Sequence, residues 1–158
     1  MILMNDFSRE PDQLRNAMVQ AVGRVIGSNS YILGNEVKTF EKKWARLCKV
    51  KHGVGTANGM DAIEIALRSL CIGPGDEVIT SSMTAFASVL AIIRAGATPV
   101  LADIDPETGL LSLASVKRCV SRKTKAILLV HLYGQLRDMA KWTEFTASCK
   151  LHLLEDSA

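Results

Sequence analysis

The sequence predicts an α/β fold, a mostly parallel sheet with helices on both faces. Three observations predict it. From residue 53 onward, short apolar runs alternate with stretches of helical periodicity. Turn-forming clusters, Gly73-Pro74-Gly75-Asp76 and Asp105-Pro106-Glu107-Thr108, fall between them. Ala126–Val130 is apolar at every position, as a buried strand of a parallel sheet requires.

Residues 1–52 read as a helical segment. Leu14, Met18, Ala21, Val22, Val25 and Ile26 share one helical face between Pro11 and Gly27, and Ser28-Asn29-Ser30 breaks the pattern. Leu33-Gly34-Asn35 leads into a second helix, where Val37, Phe40, Trp44 and Leu47 recur at spacings of three and four. Residues 53–158 form the α/β part. Gly53–Ala57 reads as a strand, followed by a helix through Ala62, Ile63, Ala66, Leu67 and Leu70. Glu77–Thr80 is the next strand, Thr84–Ala95 a helix, Thr98–Ile104 a strand and Ser112–Val120 a helix. Ala126–His131 is a strand, Asp138–Cys149 a helix, and Leu151–Glu155 a last strand with no helix after it, which reads as a unit cut off midway.

Composition narrows the function classes. The 158 residues carry 19 Lys and Arg against 16 Asp and Glu, a net charge of +3, with 48% hydrophobic and 22% charged residues. That balance excludes a disordered chain, and no run of like charge offers a stripe for nucleic acid. The apolar runs are too short to span a bilayer, so no membrane partner is expected. Met1-Ile2-Leu3-Met4-Asn5-Asp6 lacks the basic start and apolar stretch of a signal peptide, which points to the cytoplasm. Cys48, Cys71, Cys119 and Cys149 form no CxxC pair, and His52, His131 and His152 show no metal-ligand spacing. No metal site is expected, and Cys71, between Leu70 and Ile72, reads as a buried small hydrophobe.

In an open parallel sheet, ligands collect outside the carboxyl ends of the strands. Three segments belong there. Thr56–Ala62 is a strand-to-helix turn where Gly59 permits close approach and the N–H groups of Met60, Asp61 and Ala62 can hold a phosphate; the same residues also suit a plain helix start capped by Asn58 or Asp61. Ser81–Ser88 is a polar loop entering a helix, with Phe86 either against a planar ring or in the core. Leu153–Ala158 ends an apolar strand in Glu155 and Asp156, which pleat alternation sends to opposite sides; an acid there partners a cationic ring nitrogen or caps a following helix. His131 and Tyr133 lie just past another strand, where either ring is a substrate contact or a structural group. Asp103 and Asp105 read as turn formers before Pro106.

Taken together, the order and wording of these segments resemble the DegT/DnrJ/EryC1/StrS family of pyridoxal-phosphate-dependent sugar aminotransferases, in the fold-type I aspartate aminotransferase superfamily. The resemblance runs from Asn5-Asp6 onward. It passes through Tyr31-Ile32-Leu33-Gly34-Asn35-Glu36-Val37, Gly55-Thr56-Ala57-Asn58-Gly59-Met60-Asp61-Ala62 and Gly73-Pro74-Gly75-Asp76-Glu77-Val78-Ile79-Thr80. It continues in Ala95-Gly96-Ala97-Thr98-Pro99-Val100, His131-Leu132-Tyr133-Gly134-Gln135 and Glu155-Asp156-Ser157-Ala158.

The resemblance implies that the chain is the N-terminal part of the fold-type I large domain, with the small C-terminal domain absent. It implies pyridoxal 5′-phosphate as cofactor, held by Gly59, Met60 and Asp61 at the phosphate, Phe86 on the ring and Asp156 at the ring nitrogen. Many relatives carry the stacking aromatic one place earlier, where this chain has Ala85. Tyr31 and His131 are the implied substrate contacts. The implied reaction moves an amino group from an amino acid, usually glutamate, to a nucleotide-linked keto sugar, in a homodimer. The Schiff-base lysine of relatives follows the Asp156 motif, and no lysine here matches it, Lys38, Lys117, Lys125 and Lys150 included, so no catalytic residue is assigned. The chain is accordingly expected to be a truncated or split N-terminal half, inactive alone. The alternatives are a non-catalytic remnant or interaction module that pairs with a separate C-terminal chain, and a fragment of a pyridoxal-phosphate-dependent sugar dehydratase.

Overall fold

A computed structural model describes residues 6–158; the reading of Met1–Asn5 lies outside the described residues. The chain divides into two compact units, Met1–Gly55 and Thr56–Ala158.

The N-terminal unit is helical. After a single turn of 3-10 helix at Phe7–Arg9, helix α1 spans Asp12–Ser28 and α2 spans Asn35–Leu47. Asn29 ends α1 in the left-handed conformation, a role its short polar side chain tolerates. Arg24 on α1 meets Glu36 on α2 at 3.3 Å. Phe40 and Trp44, four residues apart on α2, stack with ring centroids 5.7 Å apart. The sequence-predicted strand at Gly53–Ala57 does not form. Its backbone is held by α2 instead: the Gly55 N–H donates to the Glu41 carboxylate at 2.8 Å, and a Cβ on Gly53 would meet the Glu41 carbonyl at 2.9 Å.

The second unit is a three-layer α/β sandwich. Its elements run α3 (Gly59–Ser69), β1 (Glu77–Ser81), α4 (Phe86–Arg94), β2 (Thr98–Ala102), α5 (Leu113–Cys119), β3 (Thr124–Val130), α6 (Met139–Cys149) and β4 (His152–Asp156). All four strands are parallel, in the order β2-β1-β3-β4. Pleat alternation splits the core into two faces. Val78, Ala126, Leu128 and Leu154 face α3 and α4, where they pack with Ile63, Leu67, Ala91 and Ile92. Ile79, Ile127, Leu129 and Leu153 face the other way, onto Val116 of α5 and Trp142 of α6.

The order matters for the site. The chain leaves β1 toward β2 on one side, then returns past β1 to β3 and β4 on the other. Loops after β1 and β3 therefore diverge, and a crevice opens between them at the carboxyl edge.

Three further expectations are corrected. Helix α4 starts at Phe86 rather than Thr84, because Ala85 is extended. Strand β2 stops at Ala102, since Ile104 turns away to bridge Leu111 in antiparallel fashion. Cys71 is exposed, not buried: it adopts a left-handed backbone just after α3, donating its N–H to the Arg68 carbonyl at 3.0 Å, and Ile72 takes the buried place. Asp105 does form its turn, accepting the N–H groups of Glu107 and Thr108 at 2.9 and 3.2 Å.

Candidate functional site

The crevice at the carboxyl ends of β1, β3 and β4 is a cleft of about 430 Å³. Four short segments line it: Asn58–Met60 at the start of α3, Ala85 and Ser88 at the start of α4, Val130–Tyr133 after β3, and Asp156 with Ala158 at the end of β4.

Asn58 makes the first wall. Its backbone is extended, and its side chain accepts the Asp61 N–H at 2.9 Å while donating to the Asp61 carboxylate at 3.0 Å. The Ala62 N–H bonds the Asn58 carbonyl at 3.1 Å. Asp61 and Ala62 therefore have no N–H left for a ligand. Those of Gly59 and Met60 have no acceptor among the described residues, and they sit at the positive end of an eleven-residue helix. An anion fits there.

Asp156 makes the opposite wall. Alternation along β4 sends it to the α3–α4 side with Leu154, and Glu155 to the α5–α6 side with Leu153. One carboxylate oxygen of Asp156 accepts the Ser88 hydroxyl at 2.8 Å, and the other accepts the Ala158 N–H at 3.1 Å. Ser88 is fully buried, and its oxygen lies 3.1 Å from the Thr84 hydroxyl.

His131 borders the cleft, but both of its ring nitrogens are engaged. Nε2 lies 3.0 Å from the Glu155 carboxylate, and Nδ1 accepts the Arg137 N–H at 3.4 Å, an arrangement that places the ring proton on Nε2. Its side chain is 4% exposed. Tyr133 lines the same cleft with a left-handed backbone and is almost wholly exposed.

The structure thus brings together Asn58, Gly59, Met60, His131, Tyr133 and Asp156 of the residues singled out in the sequence. Asp61 does not line the cleft: its carboxylate turns to Asn58 and to Arg94, 3.4 Å away. Phe86 is 72% exposed and also stands outside, and Ala85 takes the place beside the cavity. Tyr31 belongs to the N-terminal unit, where its hydroxyl reaches the Ile26 carbonyl at 3.4 Å and the Asn29 side chain at 3.5 Å. No lysine lines the cleft among the described residues.

Sequence reasoning passed over Ser88. Its signal was present: Ser88 is the single polar side chain in Phe86-Ala87-Ser88-Val89-Leu90-Ala91-Ile92-Ile93, in the first turn of the helix that follows a central strand.

Residues 12–158 match the model of the DegT/DnrJ/EryC1/StrS aminotransferase family. The chain is 44% identical over 155 residues to a pleiotropic regulatory protein of Geobacillus stearothermophilus, covering 98% of this chain and 42% of that protein. It is 41% identical to the dTDP-3-amino-3,4,6-trideoxy-alpha-D-glucose transaminase of Streptomyces venezuelae, over 97% of this chain and 40% of the relative. Among solved structures, S. venezuelae DesV in complex with a ketimine intermediate superposes with a TM-score of 0.90 at 42% identity, over 93% of this chain and 40% of that one. Bacillus subtilis NtdA with bound cofactor PMP superposes with a TM-score of 0.86 at 28% identity, over 97% of this chain and 37% of that one. The chain spans about two fifths of the length of the curated relatives it matches.

Proposed function

We propose that this chain, which belongs to the DegT/DnrJ/EryC1/StrS aminotransferase family, binds pyridoxal 5′-phosphate in the cleft and supplies the phosphate cradle and ring-nitrogen partner of an aminotransferase acting on a nucleotide-linked keto sugar. The observation that carries this reading is Asp156, a carboxylate held by two donors in the same cleft as the unpartnered N–H groups of Gly59 and Met60.

The donor set fits the cofactor. A phosphate is an anion with several acceptor oxygens, and the start of α3 offers two N–H groups at the positive end of a helix dipole. A protonated pyridine nitrogen needs an acceptor, and an ionised carboxylate is an acceptor only. Bound there, pyridoxal phosphate supplies an electron-accepting ring that stabilises negative charge at the carbon bearing the amino group. Asp156 would hold the proton on the ring nitrogen, Gly59 and Met60 would anchor the phosphate, and Ala85 and Val130 would offer the ring an apolar wall.

No lysine lines the cleft among the described residues, and the roles proposed for the residues that do line it are cofactor binding and ring protonation. A nucleotide-sugar substrate and an amino-acid donor belong to the same proposal, supported by relatives such as the dTDP-3-amino-3,4,6-trideoxy-alpha-D-glucose transaminase of Streptomyces venezuelae.

Pyridoxamine 5′-phosphate tests the reading without stray adducts, because it has no aldehyde to react with surface lysines. Calorimetric titration of the chain should show saturable one-to-one binding. Asp156→Ala should weaken it about tenfold or more, the loss of a charge-assisted hydrogen bond. No saturable binding, or binding indifferent to Asp156→Ala, overturns the assignment.

A further inference from the structure

We infer that Ser88, backed by Thr84, is a positioning residue that fixes the Asp156 carboxylate toward the cofactor ring. This rests on the reading of the cleft above and adds to it a role for the start of α4.

A hydroxyl has one proton to give and two lone pairs to receive with. The Ser88 proton is committed to Asp156 at 2.8 Å, because an ionised carboxylate cannot donate in return. In the Thr84–Ser88 contact at 3.1 Å, the donor must then be Thr84. The three groups form a one-way chain, Thr84 to Ser88 to Asp156, in which each bond polarises the next. Ser88 is fully buried, so water does not compete for its proton.

The partner is also far away in the chain. A serine in the first turn of a helix ordinarily satisfies itself on nearby backbone. Ser88 instead reaches 68 residues along the sequence, from α4 to the end of β4. With the Ala158 N–H holding the second oxygen at 3.1 Å, both oxygens of Asp156 are tied and the carboxylate plane is set. A carboxylate held by one donor alone can rotate about its last bond, and its alignment with a ring nitrogen is lost for part of the time.

The test uses pyridoxamine 5′-phosphate labelled with ¹⁵N in the ring, whose shift reports whether the ring nitrogen is protonated. With the unaltered chain, the bound ring should stay protonated to higher pH than the free ligand. Ser88→Ala should move the bound ring's titration toward that of the free ligand and weaken binding about tenfold. Ser88→Thr, which keeps the hydroxyl, should restore both. In an Asp156→Asn background, Ser88→Ala should change the ring signal no further.

A ring titration identical in the unaltered chain and in Ser88→Ala, with ligand still bound, overturns the role of Ser88 and leaves the cofactor reading standing. Failure of the unaltered chain to bind the ligand overturns both. Should Ser88→Ala not fold, Thr84→Val decides the matter: it removes the hydroxyl that backs Ser88 in nearly the same space, and an unshifted ring titration there counts against the proposal.

Discussion

Gly59 and Ala158 touch across the cleft, from the first turn of α3 to the residue beyond β4. A Cβ placed on Gly59 would lie 2.9 Å from the Cβ of Ala158. Gly59 is thus small because a strand end approaches it, at a helical position open to any residue by its backbone angles. The same Ala158 donates its N–H to Asp156 at 3.1 Å. The start of α3 and the Asp156 carboxylate, proposed above to meet phosphate and ring nitrogen, are therefore joined through a single residue.

Gly59→Ala should separate binding from folding. The added methyl pushes Ala158 aside and loosens its bond to Asp156, so affinity for pyridoxamine 5′-phosphate should fall about tenfold. The melting temperature should shift by no more than about 2 °C, because alanine favours the helix by about as much as the displacement costs. Calorimetric titration beside a thermal melt reads both. Unchanged affinity would show that the close approach has no part in the pocket.

Phe86 and Ala85 make an opposed pair of predictions. Phe86 is 72% exposed and outside the cleft, so Phe86→Ala should leave ligand affinity within about twofold. Ala85 borders the cavity, and Ala85→Phe should place a ring against the bound pyridine and tighten binding by about three- to tenfold, the usual worth of an aromatic pair. If Phe86→Ala is the damaging change, the ring lies against Phe86 after all.

How far this could be read in the sequence varies by element. Strands β1, β3 and β4 were legible because Val78-Ile79, Ala126–Val130 and Leu153-Leu154 are apolar on both faces, and only a covered parallel sheet asks for that. Gly53–Ala57 has a similar local composition, but its backbone partner is a carboxylate on α2, which no local pattern announces. Ile104 misled for a related reason: its pairing with Leu111 reverses the chain direction. In the site, Gly59 and Asp156 were legible from the turn and the strand end. Ser88 depends on a pairing across 68 residues, and α4 starts at Phe86, two residues later than periodicity suggests.

The sheet order predicts where apolar truncation hurts. Leu128 lies on β3, between β1 and β4, and is fully buried against the α3–α4 layer. Leu128→Ala should cost about 3 kcal/mol in urea unfolding, the transfer energy of the lost atoms plus the cavity left behind. Leu101 lies on edge strand β2 and is 54% exposed, so Leu101→Ala should cost about 0.5 kcal/mol. Equal losses at the two positions would contradict the order.

His131 can be separated into a ligand contact and a structural group by its stability cost. Its imidazole bridges the Glu155 carboxylate at 3.0 Å and the Arg137 N–H at 3.4 Å, and so ties the end of β4 to the loop that carries Tyr133. His131→Ala opens a cavity around a side chain only 4% exposed and strands the Arg137 N–H, which should cost about 2–3 kcal/mol. Glu155→Gln keeps an oxygen acceptor at a half-exposed position and should cost less than about 1 kcal/mol. Urea unfolding of both variants reads these costs, and titration with pyridoxamine 5′-phosphate shows what the cleft loses. If His131→Ala keeps full stability yet loses a nucleotide-sugar ligand, the ring contacts substrate as the family resemblance implies. If stability falls by the expected amount, its two hydrogen bonds explain the residue without any ligand.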